Sequence, residues 1–274
     1  MKSLLIVSTF VVGLSIPDIA KSSSQETSLE EVSSREERNT ESASHFTCQP
    51  PQYPRDCKEV YDRCEDQSVS GVYLIKPEGV NEPFEVYCNN SIDGGGWTVF
   101  QRRLDGSVDF FRSWNDYKNG FGFLRGEFWL GNDKISYLTN QKRYELRIDF
   151  NNVNGQPYFA KYDFFRISDE GTKYRLVGVG NYDSTSTANH NSLNENHRNQ
   201  TFCTRDRDND GVSSANLAVS RHGAWWFKDV GNTWSCHLNG LYDAGSTTFK
   251  SIAWHDLPGN TYFIKYTEMK IRPV

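Results

Sequence analysis

The segment TRDRDNDGVSS, residues 204–214, places carboxylates at positions 206, 208 and 210 and follows them with Gly211. Carboxylate oxygens on alternate positions of a polar turn suit a hard cation such as Ca2+, which takes oxygen ligands in loose geometry. The helix–loop–helix calcium pattern D-x-[DN]-x-[DN]-G also needs a glutamate at its twelfth position. Counted from Asp206 that position is Leu217, and no helical periodicity flanks the stretch. The residues leave two readings: an open calcium loop, or a solvated acidic turn partly neutralised by Arg205 and Arg207. Acid–base catalysis is not expected, because alternation along a loop does not set an acid and a base across a substrate. No Ser-His-Asp or zinc-His-Glu signature occurs, and the six scattered histidines read as structural or surface groups.

Several elements must position this loop. In RDCKEVYDRC, Cys57, Val60, Tyr61 and Cys64 fall on one face of a short helix, with Asp56 as its N-cap and Glu59 in its first turn. GVYLIKP and PFEVYC read as short strands, and DGGGWTVFQRR as a glycine turn feeding a strand. YELRIDF alternates, with Tyr144, Leu146, Ile148 and Phe150 on one face and Glu145, Arg147 and Asp149 on the other, which predicts a half-buried antiparallel strand. GNDKISYLTN predicts a short helix with Ile135 and Leu138 inward, and TYFIKYTEMKIRPV a closing strand. Residues 180–259 show little periodicity yet hold four of the seven tryptophans, the mark of packed binding loops.

The first 20 residues, a lysine, an apolar run and small residues, read as a secretory signal peptide with cleavage after Ser15 or Ala20. Residues 21–47 are rich in Ser, Glu, Thr and Arg and read as a flexible tail; residues 48–274 form the globular domain. The apolar run is too short to span a bilayer, so a soluble, secreted protein with no membrane partner is expected. Six cysteines without CxxC or zinc-finger spacing read as disulfide partners in an oxidising compartment. A helix holds Cys57 and Cys64 roughly 10 Å apart, so each needs another partner. Two sequons, at Asn89 and Asn199, suit the same compartment. A formal net charge of −5 argues against nucleic acid as partner.

Six stretches, in order, are DGGGWTVFQRR (93–103), GFGFLRGEFWLGNDKISYLT (120–139), RDRDND (205–210), HGAWWF (222–227), CHLNGLY (236–242) and YTEMKIRP (266–273). Together they resemble the fibrinogen-like domain of ficolins, tachylectins and tick plasma lectins, from about Asp56 to Pro273. The resemblance implies an α+β fold: a fibrinogen C-terminal-like domain with a small N-terminal disulfide subdomain, a central antiparallel sheet with short helices, and a loop-rich C-terminal calcium- and ligand-binding region.

It further implies Ca2+ held by Asp208 and Asp210 with carbonyls near Val212 and Ser214. The ion would brace a pocket in which the adjacent amides of Cys236 and His237, following a cis Ser235–Cys236 peptide, take an acetyl oxygen. Phe249 keeps an aromatic wall position, whereas Arg221 and Asn260 replace aromatic or hydrophobic residues, a change that suits an acidic N-acetylated sugar such as sialic acid or else degrades the acetyl site. By the same resemblance Cys57 pairs with Cys88. Leu217 stands where the family has the usual partner of Cys236, so a Cys203–Cys236 bridge is expected. Cys48 and Cys64 are additional, with an internal Cys48–Cys64 bridge preferred over an interchain one. The expectation is a calcium-stabilised lectin for N-acetylated glycans of the N-acetylglucosamine or sialic acid type, acting in innate recognition and gaining avidity as a homo-oligomer. The alternative is a protein-interaction module with a degraded acetyl pocket.

Overall fold

A computed structural model of the chain describes residues 53–63, 69–228, 236–243, 248–259 and 263–274. The signal peptide, the tail, the Cys48–Cys64 pair, the Ser235–Cys236 peptide and Asn260 lie outside the described residues.

Asp56 starts α1 (Cys57–Arg63) by accepting the amides of Lys58 and Glu59, each at 3.0 Å, on its Oδ1. Its other oxygen accepts from Lys142 Nζ at 2.9 Å and the Tyr144 hydroxyl at 2.8 Å, which ties the helix to the sheet. Strands β1 (Gly71–Ile75) and β2 (Phe84–Asn89) pair antiparallel, and Cys57 is disulfide-bonded to Cys88 of β2. The triple-glycine turn leads into β3 (Trp97–Arg103). Gly95 has φ +72°, and a β-carbon there would stand 2.5 Å from the Tyr61 ring, so only glycine lets this turn lie against α1.

Ser113 and Asp116 form a capping box that opens α2 (Trp114–Asn119). A small hairpin, β4 (Phe121–Gly122) with β5 (Phe128–Trp129), follows and joins β3. Next come α3 (Asn132–Gln141), with Ile135 and Leu138 fully buried, then β6 (Tyr144–Asn151) and β7 (Pro157–Tyr162). Smaller pieces complete the chain: β8 (Phe165–Ile167) with β9 (Leu176–Val179), α4 (Ser192–His197), α5 (Leu217–Ser220), and β10 (Cys236–His237) with β11 (Ala253–Trp254). The closing strand β12 (Tyr266–Pro273) inserts between β3 and β6, giving the order β1-β2-β3-β12-β6-β7 with every pairing antiparallel.

The alternation of β6 is borne out on one face, where Tyr144, Leu146, Ile148 and Phe150 are all buried. The other face is less open than a half-buried strand implies, because long charged side chains of neighbouring strands cover one another. Glu268 pairs with Arg102 Nε at 2.7 Å and Lys270 Nζ at 2.7 Å, Lys270 with Asp149 at 2.6 Å, and Arg272 with Glu145 at 2.6 Å. Glu268 and Lys270 are each only 1% exposed.

The aperiodic segment is anchored by aromatic packing. Phe202 lies 5.2 Å from Trp226 and 5.8 Å from Trp129, centroid to centroid, and Trp226 Nε1 donates to the Tyr174 carbonyl at 2.7 Å. Long loops are thereby fixed on the buried end of β5 without regular secondary structure of their own.

Candidate functional site

The acidic loop does not bring its three aspartates together. A tight turn, with mutual backbone bonds between Thr204 and Arg207, faces Asp206 toward α2. There Asp206 Oδ1 accepts the Trp114 amide at 2.9 Å and the Thr204 hydroxyl at 2.8 Å, so it serves as a cap on the first turn of α2. The arginines are committed elsewhere. Arg205 lies over the Phe111 ring at 5.3 Å, and Arg207 lies over Trp114 at 4.7 Å with Glu170 at 3.8 Å. The expected neutralisation of the acidic turn by these two side chains is therefore replaced by stacking on aromatic faces.

Asp208 and Asp210 remain as a pair. Asp210 is 5% exposed; its Oδ1 accepts the Val212 amide at 2.8 Å and its Oδ2 the Leu217 amide at 2.7 Å. Burial pushes its carboxyl above the ordinary range, the two amides pull it back, and the charge of Asp208 raises it further. The carbonyls of Val212 and Ser214 accept no hydrogen bond among the described residues. The carboxylates of Asp208 and Asp210 and the carbonyls of Val212 and Ser214, on either side of the positive-φ Gly211 (φ +82°), are hard oxygens of the kind Ca2+ takes, and these residues would hold such an ion. Among the described residues no three His, Cys, Asp or Glu side chains converge on one point, so such an ion would rest on carbonyls and water for its remaining ligands.

This division of labour separates two variants. Asp206→Ala is expected to lower stability by about 1 kcal/mol through the lost cap, with calcium affinity unchanged. If the loop holds Ca2+, Asp208→Ala is expected to abolish its binding. Urea denaturation and calorimetric titration read the two effects independently.

Cys236 and His237 form β10. The Cys236 amide does not stand open for an incoming carbonyl; it donates to His197 Nε2 at 3.3 Å. His197 Nδ1 bonds the Trp226 carbonyl at 2.7 Å, and because a carbonyl only accepts, Nδ1 carries the proton and Nε2 receives the amide. A buried amide requires a partner, and the neutral His197 ring supplies it. Burial pulls His197 down to about 4.

His237 is 5% exposed, its ring 5.1 Å from Phe227 and 6.2 Å from Trp225. It packs on the bare Cα of Gly223, where a β-carbon would lie 2.8 Å from Nε2. Neither ring nitrogen has a hydrogen-bond partner among the described residues. Burial holds the ring neutral, and the charge of nearby Arg221 acts in the same direction. Arg221 lies 4.8 Å over the Phe249 ring, which is 43% exposed. The structure thus gathers His237, Arg221 and Phe249, while Asn260 lies outside the described residues.

The expected Cys203–Cys236 bridge is not formed: both are buried free thiols. Cys203 Sγ turns to the Thr201 carbonyl at 3.6 Å, its backbone pairs with Trp225, and the Trp225 side chain lies beside Cys236. Burial raises both thiols, Cys203 to about 12.

Three buried residues escaped the sequence reading. His197 sits on a six-residue helix in an Asn-rich stretch with no periodicity to mark it. Arg103 on β3 donates to the Gly240 carbonyl at 2.6 Å, and Glu127 beside it accepts the amides of Leu104, Asp105, Gly106 and Val108. A Glu adjoining the FW of β5 was a possible signal, but its partners lie in a turn about twenty residues earlier.

Residues 53–274 match the family model described as the fibrinogen beta and gamma chains, C-terminal globular domain. Fibrinogen-like protein A of Apostichopus parvimensis is 44% identical over 258 residues, 90% of this chain and 86% of that one. Tenascin-R of Gallus gallus is 43% identical over 221 residues, although the chain spans only 15% of its length. Among solved structures, the fibrinogen-like globe domain of human ANGPTL2 superposes with a TM-score of 0.73 at 38% identity, over 80% of this chain and 99% of that one. The lamprey fibrin D-dimer complexed with the peptide Gly-His-Arg-Pro-amide gives 0.69 at 34% identity, over 82% and 74%. With its antiparallel sheet, short helices and N-terminal disulfide, the chain belongs to the family of fibrinogen C-terminal globular domains.

Proposed function

We propose that the chain is a secreted, calcium-braced recognition module that binds acidic N-acetylated glycans at the end carrying His237, Arg221 and Phe249, in innate recognition of cell or microbial surfaces. One observation carries this reading: a buried His237, its two ring nitrogens unpaired among the described residues, adjoins a guanidinium stacked on a half-open aromatic ring. A sugar ring stacks on an exposed aromatic face, a carboxylate pairs with Arg221, and an acetamide N–H supplies the proton that a neutral His237 nitrogen lacks. Calcium at Asp208 and Asp210 acts by stiffening the loop and does not touch the sugar. Association into homo-oligomers would raise the avidity of such single-sugar sites.

A second reading follows from the Cys236 amide. Its bond to His197 removes one of the two donors of an acetyl cradle, which favours an extended peptide or protein ligand, the class of ligand bound by the lamprey fibrin neighbour. A glycan array with calcium and with chelator separates the two. Retention of sialylated or other N-acetylated acidic glycans, lost in Arg221→Ala, supports the first reading. Retention of no glycan by the calcium-loaded protein overturns it.

A further inference from the structure

We propose that Asn199 carries the N-linked glycan of the folded chain and that Asn89 stays bare. Both stand in Asn-x-Ser/Thr sequons, yet their surroundings are opposite. Asn199 is exposed in a turn after α4, with φ +65°. Only its backbone is engaged: its amide donates to the Leu176 carbonyl at 2.7 Å, and its carbonyl accepts from Arg175 at 3.0 Å. Its side-chain amide makes no hydrogen bond among the described residues.

Asn89 is locked. Its Nδ2 donates to Glu268 Oε1 at 2.9 Å, and its Oδ1 accepts from the Ser91 amide at 3.3 Å and hydroxyl at 3.1 Å. The nitrogen that would carry sugar therefore points at the carboxylate that Arg102 and Lys270 hold within the sheet face.

In the transfer, Asn Nδ2 attacks the anomeric carbon of an oligosaccharide linked to a lipid pyrophosphate. The N–C bond forms, the C–O bond to pyrophosphate breaks, the lipid pyrophosphate leaves as an anion, and one Nδ2 proton is released. Transfer precedes folding, so the fold selects afterwards. A sugar on Asn199 projects into solvent. A sugar on Asn89 takes one of the two Nδ2 hydrogens and crowds Glu268 and its cationic partners, so folding selects against a chain bearing it. The glycan would stand beside Arg198, which lines a cleft of about 290 Å3 with Arg143, Asp163 and Asn181, and so would screen that rim.

The inference rests on the secretion reading, and the test separates the two. The full chain is expressed in animal cells from its own start and, in parallel, behind a heterologous secretion leader. Glycans are released enzymatically in heavy-oxygen water, which marks each formerly glycosylated asparagine. Export seen only behind the added leader tells against residues 1–20 as a signal and leaves the glycan result readable. The expected result is a mark at Asn199 and none at Asn89, with the gel shift abolished by Asn199→Gln and kept by Asn89→Gln. Asn199→Gln is preferred to a change at Thr201, whose hydroxyl bonds the Asn209 carbonyl of the acidic loop at 2.6 Å. A mark at Asn89, or an unmarked Asn199 in exported protein, overturns the proposal.

Discussion

Glu127→Ala is expected to cost about 4 kcal/mol of folding stability. The carboxylate is fully buried and accepts four backbone amides, from Leu104 at 2.8 Å, Asp105 at 3.2 Å, Gly106 at 3.0 Å and Val108 at 2.9 Å. Its removal strands those donors together. It also strips the counter-charge, 3.7 Å away, from Arg103, which is 1% exposed and which burial already pulls down to about 10. Arg103 in turn grips the carbonyls of Leu238 and Gly240, immediately after β10, so the loss reaches the recognition end. Equilibrium urea denaturation checks the magnitude. A change below about 1 kcal/mol would mean that water replaces the carboxylate at this turn.

Acidification is expected to weaken the molecule at pH values above those at which Glu268 and Glu59 protonate. His197 titrates near 6.5 in the unfolded chain and near 4 in the folded one, because burial penalises its charged form. Between those values the unfolded chain binds more protons, so stability is fully present above pH 6.5 and falls as pH drops toward 4. The contribution of His197 amounts to about 3 kcal/mol, and His237, also held neutral by burial, loses stability in the same direction. Glu268 and Glu59 act in a lower window. Burial opposes the charge of Glu268, but Lys270 and Arg102 outweigh it and hold the group at about 2, so its stabilisation disappears only as pH falls from 4.5 toward 2. Glu59 behaves alike, with Lys142 and Arg55 outweighing burial. His197→Gln can still donate to Trp226 and accept from Cys236, so it should keep stability at neutral pH and flatten the loss between pH 6.5 and 4. Melting temperatures across that range, compared between the two proteins, decide the point. A slope unchanged by the substitution would remove His197 from the account.

Local patterns were readable where one element carried its own signal. Asp56 before an i, i+3, i+4 apolar face marked α1, and the alternation from Tyr144 to Phe150 marked β6. Periodicity could not show that all seven residues of β3 are buried, because the polar ones find partners in segments far along the chain: Gln101 and Arg103 at 238–240, Arg102 at Glu268. The acidic loop was legible as a carboxylate cluster but not as a divided one. What turns Asp206 away is the Trp114 amide, ninety-two positions earlier. The aromatic faces of Phe111 and Trp114 likewise claim Arg205 and Arg207. The Cys203–Cys236 expectation failed on direction rather than neighbourhood: Trp225 contacts both residues, yet the Cys203 thiol turns back to Thr201.

The melting temperature of the unmutated protein with calcium and then with chelator, beside that of the Asp208→Ala, Asp210→Ala double variant, interrogates the ion-braced loop most directly. At calcium well above its dissociation constant the ion should add about 2–3 kcal/mol, roughly 5–10 °C in a domain of this size, and chelator should erase that gain in the unmutated protein while leaving the variant unmoved. An unmutated protein that melts at one temperature in calcium and in chelator would contradict the account.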